Sequence, residues 1–164
     1  MLAREFIKQA LEPALAILPA QMDTPQARLM VLAICLQESG LIHRKQLGNG
    51  PARGYPQFEL GTRQSRGGVW GVYLHDSSRF WLDKLCAARG VQFLPDSIWR
   101  AMETDDVLAA GVARLLLFTD PKRLPATDDA DGAWGLYLRT WRPGKPRPAE
   151  WPGNHRLARQ EVAP

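Results

Sequence analysis

Among the side chains able to move a proton, Glu38 has the most distinctive setting, closing the run Ala33-Ile34-Cys35-Leu36-Gln37-Glu38 before Ser39-Gly40. Three, four and seven residues back lie Cys35, Ile34 and Val31, so on a helix this carboxylate shares an apolar face. A carboxyl group there loses hydration, which disfavours its charged form and raises its pKa. Such a Glu can donate a proton near neutral pH. A Glu at a helix end more commonly points into water. The rest of the chain decides between the two readings.

A second group of residues could bind what such an acid acts on. The run Gly48-Asn49-Gly50-Pro51-Ala52-Arg53-Gly54-Tyr55-Pro56-Gln57-Phe58-Glu59 opens on a strong turn signal. It then offers a flat ring (Tyr55), an amide that donates and accepts (Gln57) and an apolar floor (Phe58), the groups a sugar cleft needs. Glu59 is either a solvated side chain or a second carboxylate. Trp134, Tyr137, Leu138 and Trp141 recur at i, i+3, i+4 and i+7, as an aromatic stripe that belongs to the core, to a cleft wall, or to both. His43 and His75 join no recognisable triad or metal motif, Arg44 and Arg53 could meet carboxylates, and no metal or other cofactor is required.

The segments that position these residues read as helices. Thr24 can cap a helix over Thr24–Ser39, Pro25 suits its first position, and Gly40 suits its end. Its body is apolar nearly all round, as in a helix buried at the centre of a domain. Before it, Leu2, Phe6, Ile7, Leu11, Leu15 and Leu18 mark an amphipathic segment that Pro13 kinks or divides. After it, 41–71 reads as a long, shaped, glycine-rich loop, and loops of that length are usually functional. Further helices are expected from Ser77 or Ser78 to Gly90, over Asp96–Met102, after a Thr104 cap, and after an Asp131 cap. Gly111 falls in the stripe Val107, Leu108, Gly111, Val112, Leu115, Leu116, where it would let another helix approach. No strand alternation or repeat is evident. The fold class is mainly α, with little or no β, in one domain over 1–146 followed by an extended tail over 147–164.

Length and composition agree with one domain. A chain of 164 residues buries roughly two-thirds of its unfolded surface, so a core forms without staples. Cys35 and Cys86 sit in apolar helical patterns and read as buried free thiols. A net charge of +4 suits an anionic partner, but the cations are scattered, and nucleic acid is not expected. No apolar run is long enough to span a membrane. Charges interrupt the N-terminal stretch where a signal peptide would be apolar, so synthesis in the cytoplasm is expected.

Short segments, taken in order, then resemble one family. Glu38-Ser39, followed by Gly54-Tyr55-Pro56-Gln57-Phe58, resembles the Glu-Ser and Gly-Leu-Met-Gln-Ile motifs of the lysozyme-like lytic transglycosylases and goose-type lysozymes. The stripe around Gly111 looks like their next motif, a helix behind the catalytic one. Trp141-Arg142-Pro143-Gly144 is similar to their Tyr-Asn-Ala-Gly, with Trp for Tyr and Arg for Asn. The Gly-Pro-Ala-Arg-Gly run also resembles small lysozyme-like proteins of bacteriophages and prophages. The likeness spans about residues 24–146.

What this resemblance implies is a lysozyme-like fold whose central helix carries Glu38 beside a glycine-rich cleft loop. Glu38 would be the single acid/base cleaving peptidoglycan glycan strands between N-acetylmuramic acid and N-acetylglucosamine. Tyr55, Gln57, Phe58, Glu59, Tyr137, Trp141 and Arg142 would bind the strand, with Ser39 and Arg53 in support. Ser39 either bonds near the carboxylate or finishes the helix. Because an indole only donates, Trp141 cannot replace a family tyrosine fully, and Tyr137, one turn earlier, could supply the hydroxyl. Were Glu59 to face Glu38, two-carboxylate hydrolysis becomes the alternative. A wall-binding or virion structural module without catalysis is a third expectation, and the protein would reach the wall after lysis-linked release or as a virion component.

Overall fold

Apolar residues at helical spacing recur on either side of the glycine-rich loop, and the computed structural model, which describes residues 1–163, turns them into helices. No sheet forms among the described residues; two isolated bridges, Lys45 with Arg53 and Arg53 with Phe58, are the only strand-like pairing there. The fold is mainly α. No helix among the described residues is long and apolar enough to cross a membrane.

The N-terminal segment is one helical rod in three pieces: α1 (Ala3–Phe6), a π-helical turn (Ile7–Leu11) and α2 (Glu12–Ile17). Pro13 divides it, as expected. Its ring cannot donate to the Gln9 carbonyl and would collide with it. The turn before it widens, and the Glu12 N–H reaches back five residues to the Ile7 carbonyl.

The central helix α3 (Pro25–Ser39) has the ends the sequence signals. Thr24 Oγ1 accepts from the Ala27 N–H at 3.1 Å, and Gly40 closes the helix in the left-handed conformation at φ 60°. Leu29 to Cys35 are all buried. Around it stand α4 (Gly68–Leu74), α5 (Asp76–Arg89), α6 (Pro95–Ala101), α7 (Asp106–Phe118), α8 (Ala130–Trp141) and α9 (Trp151–Val162). Helix α7 packs against both α3 and α5. A Cβ on Gly111 would stand 2.5 Å from Leu85 Cδ2, so this glycine lets α5 lie against α7. Cys35 and Cys86 are buried and free.

Several boundaries move from their expected places. The tail is not extended: α9 occupies Trp151–Val162, with Trp151, His155 and Ala158 buried, and lies along α3. The glycine-rich loop ends earlier than expected, because α4 begins at Gly68. Caps shift where polar residues compete. His75 Nδ1 accepts from the Ser77 N–H at the head of α5, while the Ser78 hydroxyl donates to the Val72 carbonyl at 2.6 Å. Asp105, not Thr104, caps α7 through the Leu108 N–H, and Asp129, not Asp131, caps α8 through the Gly132 N–H. Asp105 and Asp129 are each the carboxylate three residues before the N–H it serves.

Candidate active site

Between the end of α3, the loop from Leu41 to Gly67 and the end of α8 runs an open cleft of about 1120 Å³. Glu38 stands in its wall, half-buried. Burial pushes its carboxyl pKa up; a hydrogen bond from Tyr137 and the nearby Arg147 charge pull the other way without cancelling that rise. The Tyr137 hydroxyl donates to Glu38 Oε1, while burial and that carboxylate hold the phenol well above its ordinary range. Tyr137 is therefore a committed donor. Its ring is stacked at 12° on Trp151, centroids 5.4 Å apart, and meets Trp134 at 5.2 Å, so the hydroxyl is aimed by packing.

On the facing side, the loop is fastened before it reaches the cleft. Arg44 grips Asp106 at the head of α7 with two 2.8 Å bonds, and its carbonyl accepts from the Gly54 N–H at 2.6 Å. Gly54 takes φ 71°, and a Cβ there would come within 2.9 Å of the Met102 carbonyl, so a larger residue would push the loop off α6 and α7. The turn closes as the Gln57 N–H donates to the Gly54 carbonyl at 3.0 Å, leaving Gln57 itself left-handed at φ 51°. A non-glycine residue in that region costs about 1–3 kcal/mol. Gln57 Nε2 donates to the Gly54 carbonyl at 2.8 Å and to the His43 carbonyl at 3.4 Å. Its amide oxygen remains to meet a ligand in the cleft it lines.

Trp141 fixes the two walls to each other. Its Nε1 donates to the Pro56 carbonyl at 2.9 Å, and its ring meets the edge of Phe58 at 5.4 Å and 74°. Phe58 is 2 % exposed and forms floor, as its apolar ring suggested. Glu59 is exposed on the same cleft, and Arg142, left-handed at φ 49°, ends α8 at its rim. The structure thus brings Glu38, Gln57, Phe58, Glu59, Tyr137, Trp141 and Arg142 to one cavity.

Three expected site residues serve the scaffold instead. Tyr55 is 2 % exposed, lies edge-on to Phe6 at 6.0 Å with the Arg44 guanidinium 4.6 Å over its ring, and does not line the cleft. The tight turn points Gln57 to the cavity and Tyr55 to the core. Arg53 is taken by Glu103 at 2.9 Å, by the Gly50 and Ala52 carbonyls, and by the Trp99 ring at 4.5 Å, away from the cleft. Ser39 borders the cleft, but its hydroxyl donates to the Cys35 carbonyl at 3.0 Å and accepts from the Leu41 N–H, finishing α3. Arg44, paired with Asp106, is likewise unavailable to a substrate.

Sequence reasoning missed Gln37, Arg147 and Trp151. Gln37 stands on the otherwise apolar face of α3 and is 1 % exposed. A polar residue in that position signals a buried partner. That partner is the segment before α9, which only tertiary packing brings back.

Chemically, the site offers one carboxyl with a raised pKa, a fixed hydroxyl donor, a cation beside them and an aromatic-walled groove. Among the described residues no group of three or more His, Cys, Asp or Glu is arranged to hold a metal ion. No family model matches the chain, and no curated protein and no solved structure is significantly similar to it.

Proposed function

We propose that this protein cleaves the glycan strand of bacterial peptidoglycan, with Glu38 as its single acid and base. The observation that carries the reading is Glu38 itself, a half-buried carboxyl of raised pKa, bonded by Tyr137, in the wall of an open cleft of about 1120 Å³. Protonated Glu38 gives its proton to the glycosidic oxygen between N-acetylmuramic acid and N-acetylglucosamine. The C1–O bond breaks, and the N-acetylglucosamine side leaves as an alcohol. Glu38, now an anion supported by Tyr137 and Arg147, takes the proton of the muramyl C6 hydroxyl as that oxygen closes on C1. The product carries a 1,6-anhydro end, Glu38 is again protonated, and no water is consumed. Gln57 orients the sugar and Phe58 with Trp141 shapes the floor, the arrangement expected of a lytic transglycosylase in a small phage or prophage protein.

Glu59, exposed in the same groove, supports the second reading, hydrolysis by two carboxylates. Mass spectrometry of fragments released from purified wall separates these readings. Anhydro ends, one water lighter than reducing ends, support the single-Glu route; reducing ends dependent on Glu59 support hydrolysis. Binding to wall without release of fragments points to a non-catalytic module.

A further inference from the structure

The residue before Glu38 is tied almost wholly to the C-terminal segment. Gln37 Nε2 donates to the Arg147 carbonyl at 2.9 Å, Gln37 Oε1 accepts from Asn154 Nδ2 at 2.9 Å, and the Gln37 carbonyl accepts from the Arg147 guanidinium. That carbonyl is among the last four of α3, which have no partner within the helix. The end of a helix carries partial negative charge, so a cation is favoured there and an anion is not. Glu38 sits at this end. Its anionic form is opposed by burial and by the helix end together, and Arg147 answers both from one position.

We propose that Arg147, held by Gln37, whose own side-chain amide is fixed by Asn154, is a positioning residue that steadies the carboxylate form of Glu38 after it has given up its proton. This deepens the proposed glycan cleavage and rests on that reading of the cleft. The proton must return to Glu38 in the second step, so an acid too reluctant to remain ionised would recapture its proton from the leaving group. Arg147 itself is steered by Glu150 at 3.2 Å and remains half exposed. Tyr137 on α8 and Cys35 on its own helix also interact with Glu38, and the cleft they share is lined besides by His43, Glu59, Arg66, His75, Asp120, Arg139, Arg142, Lys145 and Glu150. Among the cations, it is Arg147 whose charge bears on Glu38.

The test is a carbon-13 NMR titration of the Glu38 side-chain carboxyl, its signal identified by disappearance in Glu38→Gln. Arg147→Gln should move the midpoint upward, while Arg147→Lys, which retains the charge, should keep most of the wild-type value. High salt should move the wild type in the same upward direction, which decides the matter should Arg147→Gln not fold. In wall digestion, the alkaline limb of kcat/KM should follow the midpoint, with kcat falling more than KM rises. An unmoved midpoint in a folded Arg147→Gln, or in salt, overturns the role of Arg147 even if the wall is cleaved. A moved midpoint in a protein that leaves wall intact would retain the electrostatic coupling and sink the catalytic reading beneath it.

Discussion

Replacing Tyr137 by Phe removes one oxygen from the centre of the site and nothing else. The ring keeps its stack on Trp151 and its contacts with Trp134, so no cavity opens. What is lost is the donor to Glu38. A hydrogen bond to an ionised group is worth about 1.5–3 kcal/mol. Because the cleft lets water take part of the donor's place, the lower half applies, about 1.5–2 kcal/mol. At about 1.4 kcal/mol per tenfold, cleavage of purified wall should fall roughly 10- to 30-fold. Since the Tyr137 bond holds the Glu38 pKa down, its loss should also move the alkaline limb of kcat/KM upward. The control is Tyr137→Ala, which deletes the ring as well and should lose about 3–5 kcal/mol of stability. Turbidity clearing across pH and thermal melts of both variants supply the comparison. Full activity with an unmoved limb in Tyr137→Phe would refute the donor role, and equal damage from Phe and Ala would show that packing alone matters.

Other consequences follow from single contacts. Glu38 is held above its ordinary value, so the native protein keeps a proton that the unfolded chain releases. Stability therefore falls as pH rises between the two values, and Glu38→Gln should melt higher than wild type at neutral pH, with the gain gone below about pH 4. His155 is buried with Nε2 unpartnered and its pKa lowered, chiefly by burial. Its unfolded form binds protons first, so stability is full above about pH 6.5 and declines as pH falls through the lowered value; in His155→Leu that acid sensitivity should shrink in melts across pH. Trp141→Phe deletes the donor to Pro56 while leaving a ring beside Phe58, and should cost about 1 kcal/mol in denaturant unfolding and raise KM as the Gln57 turn loosens. Gly111→Ala must displace buried Leu85, and should lower stability by about 1–3 kcal/mol despite alanine's better helix propensity.

Much of the scaffold was legible because its signals were local. Thr24, Pro25 and Gly40 mark both ends of α3, and the unbroken apolar body between them forces it into the core. Gly111 was readable for the same reason, as a gap in a regular stripe. The loop was harder: without periodicity, nothing in Tyr55-Pro56-Gln57 shows which side chain faces inward, and the turn at Gly54 settles it against Tyr55. Helix α9 was hidden by Pro152-Gly153 in its first turn and by charges along its outer face. Its inward residues, Trp151, His155 and Ala158, do fall at i, i+4 and i+7, but a single stripe of mixed character persuades only once α3 is there to receive it. The bonds from Gln37 to Arg147 and Asn154 span more than a hundred residues, and no local pattern encodes them.

If one carboxyl does the proposed chemistry, wall digestion by Glu38→Gln must show it. The amide has nearly the same shape and can still accept from Tyr137, so the fold should persist, with a melt at least as high as wild type. General acid–base catalysis of this kind contributes about 10²–10⁴-fold. The wild type should release soluble glycan fragments from purified peptidoglycan, and folded Glu38→Gln, at the same concentration, should release them at least about a hundredfold more slowly. Release at an undiminished rate by a folded Glu38→Gln would contradict that chemistry.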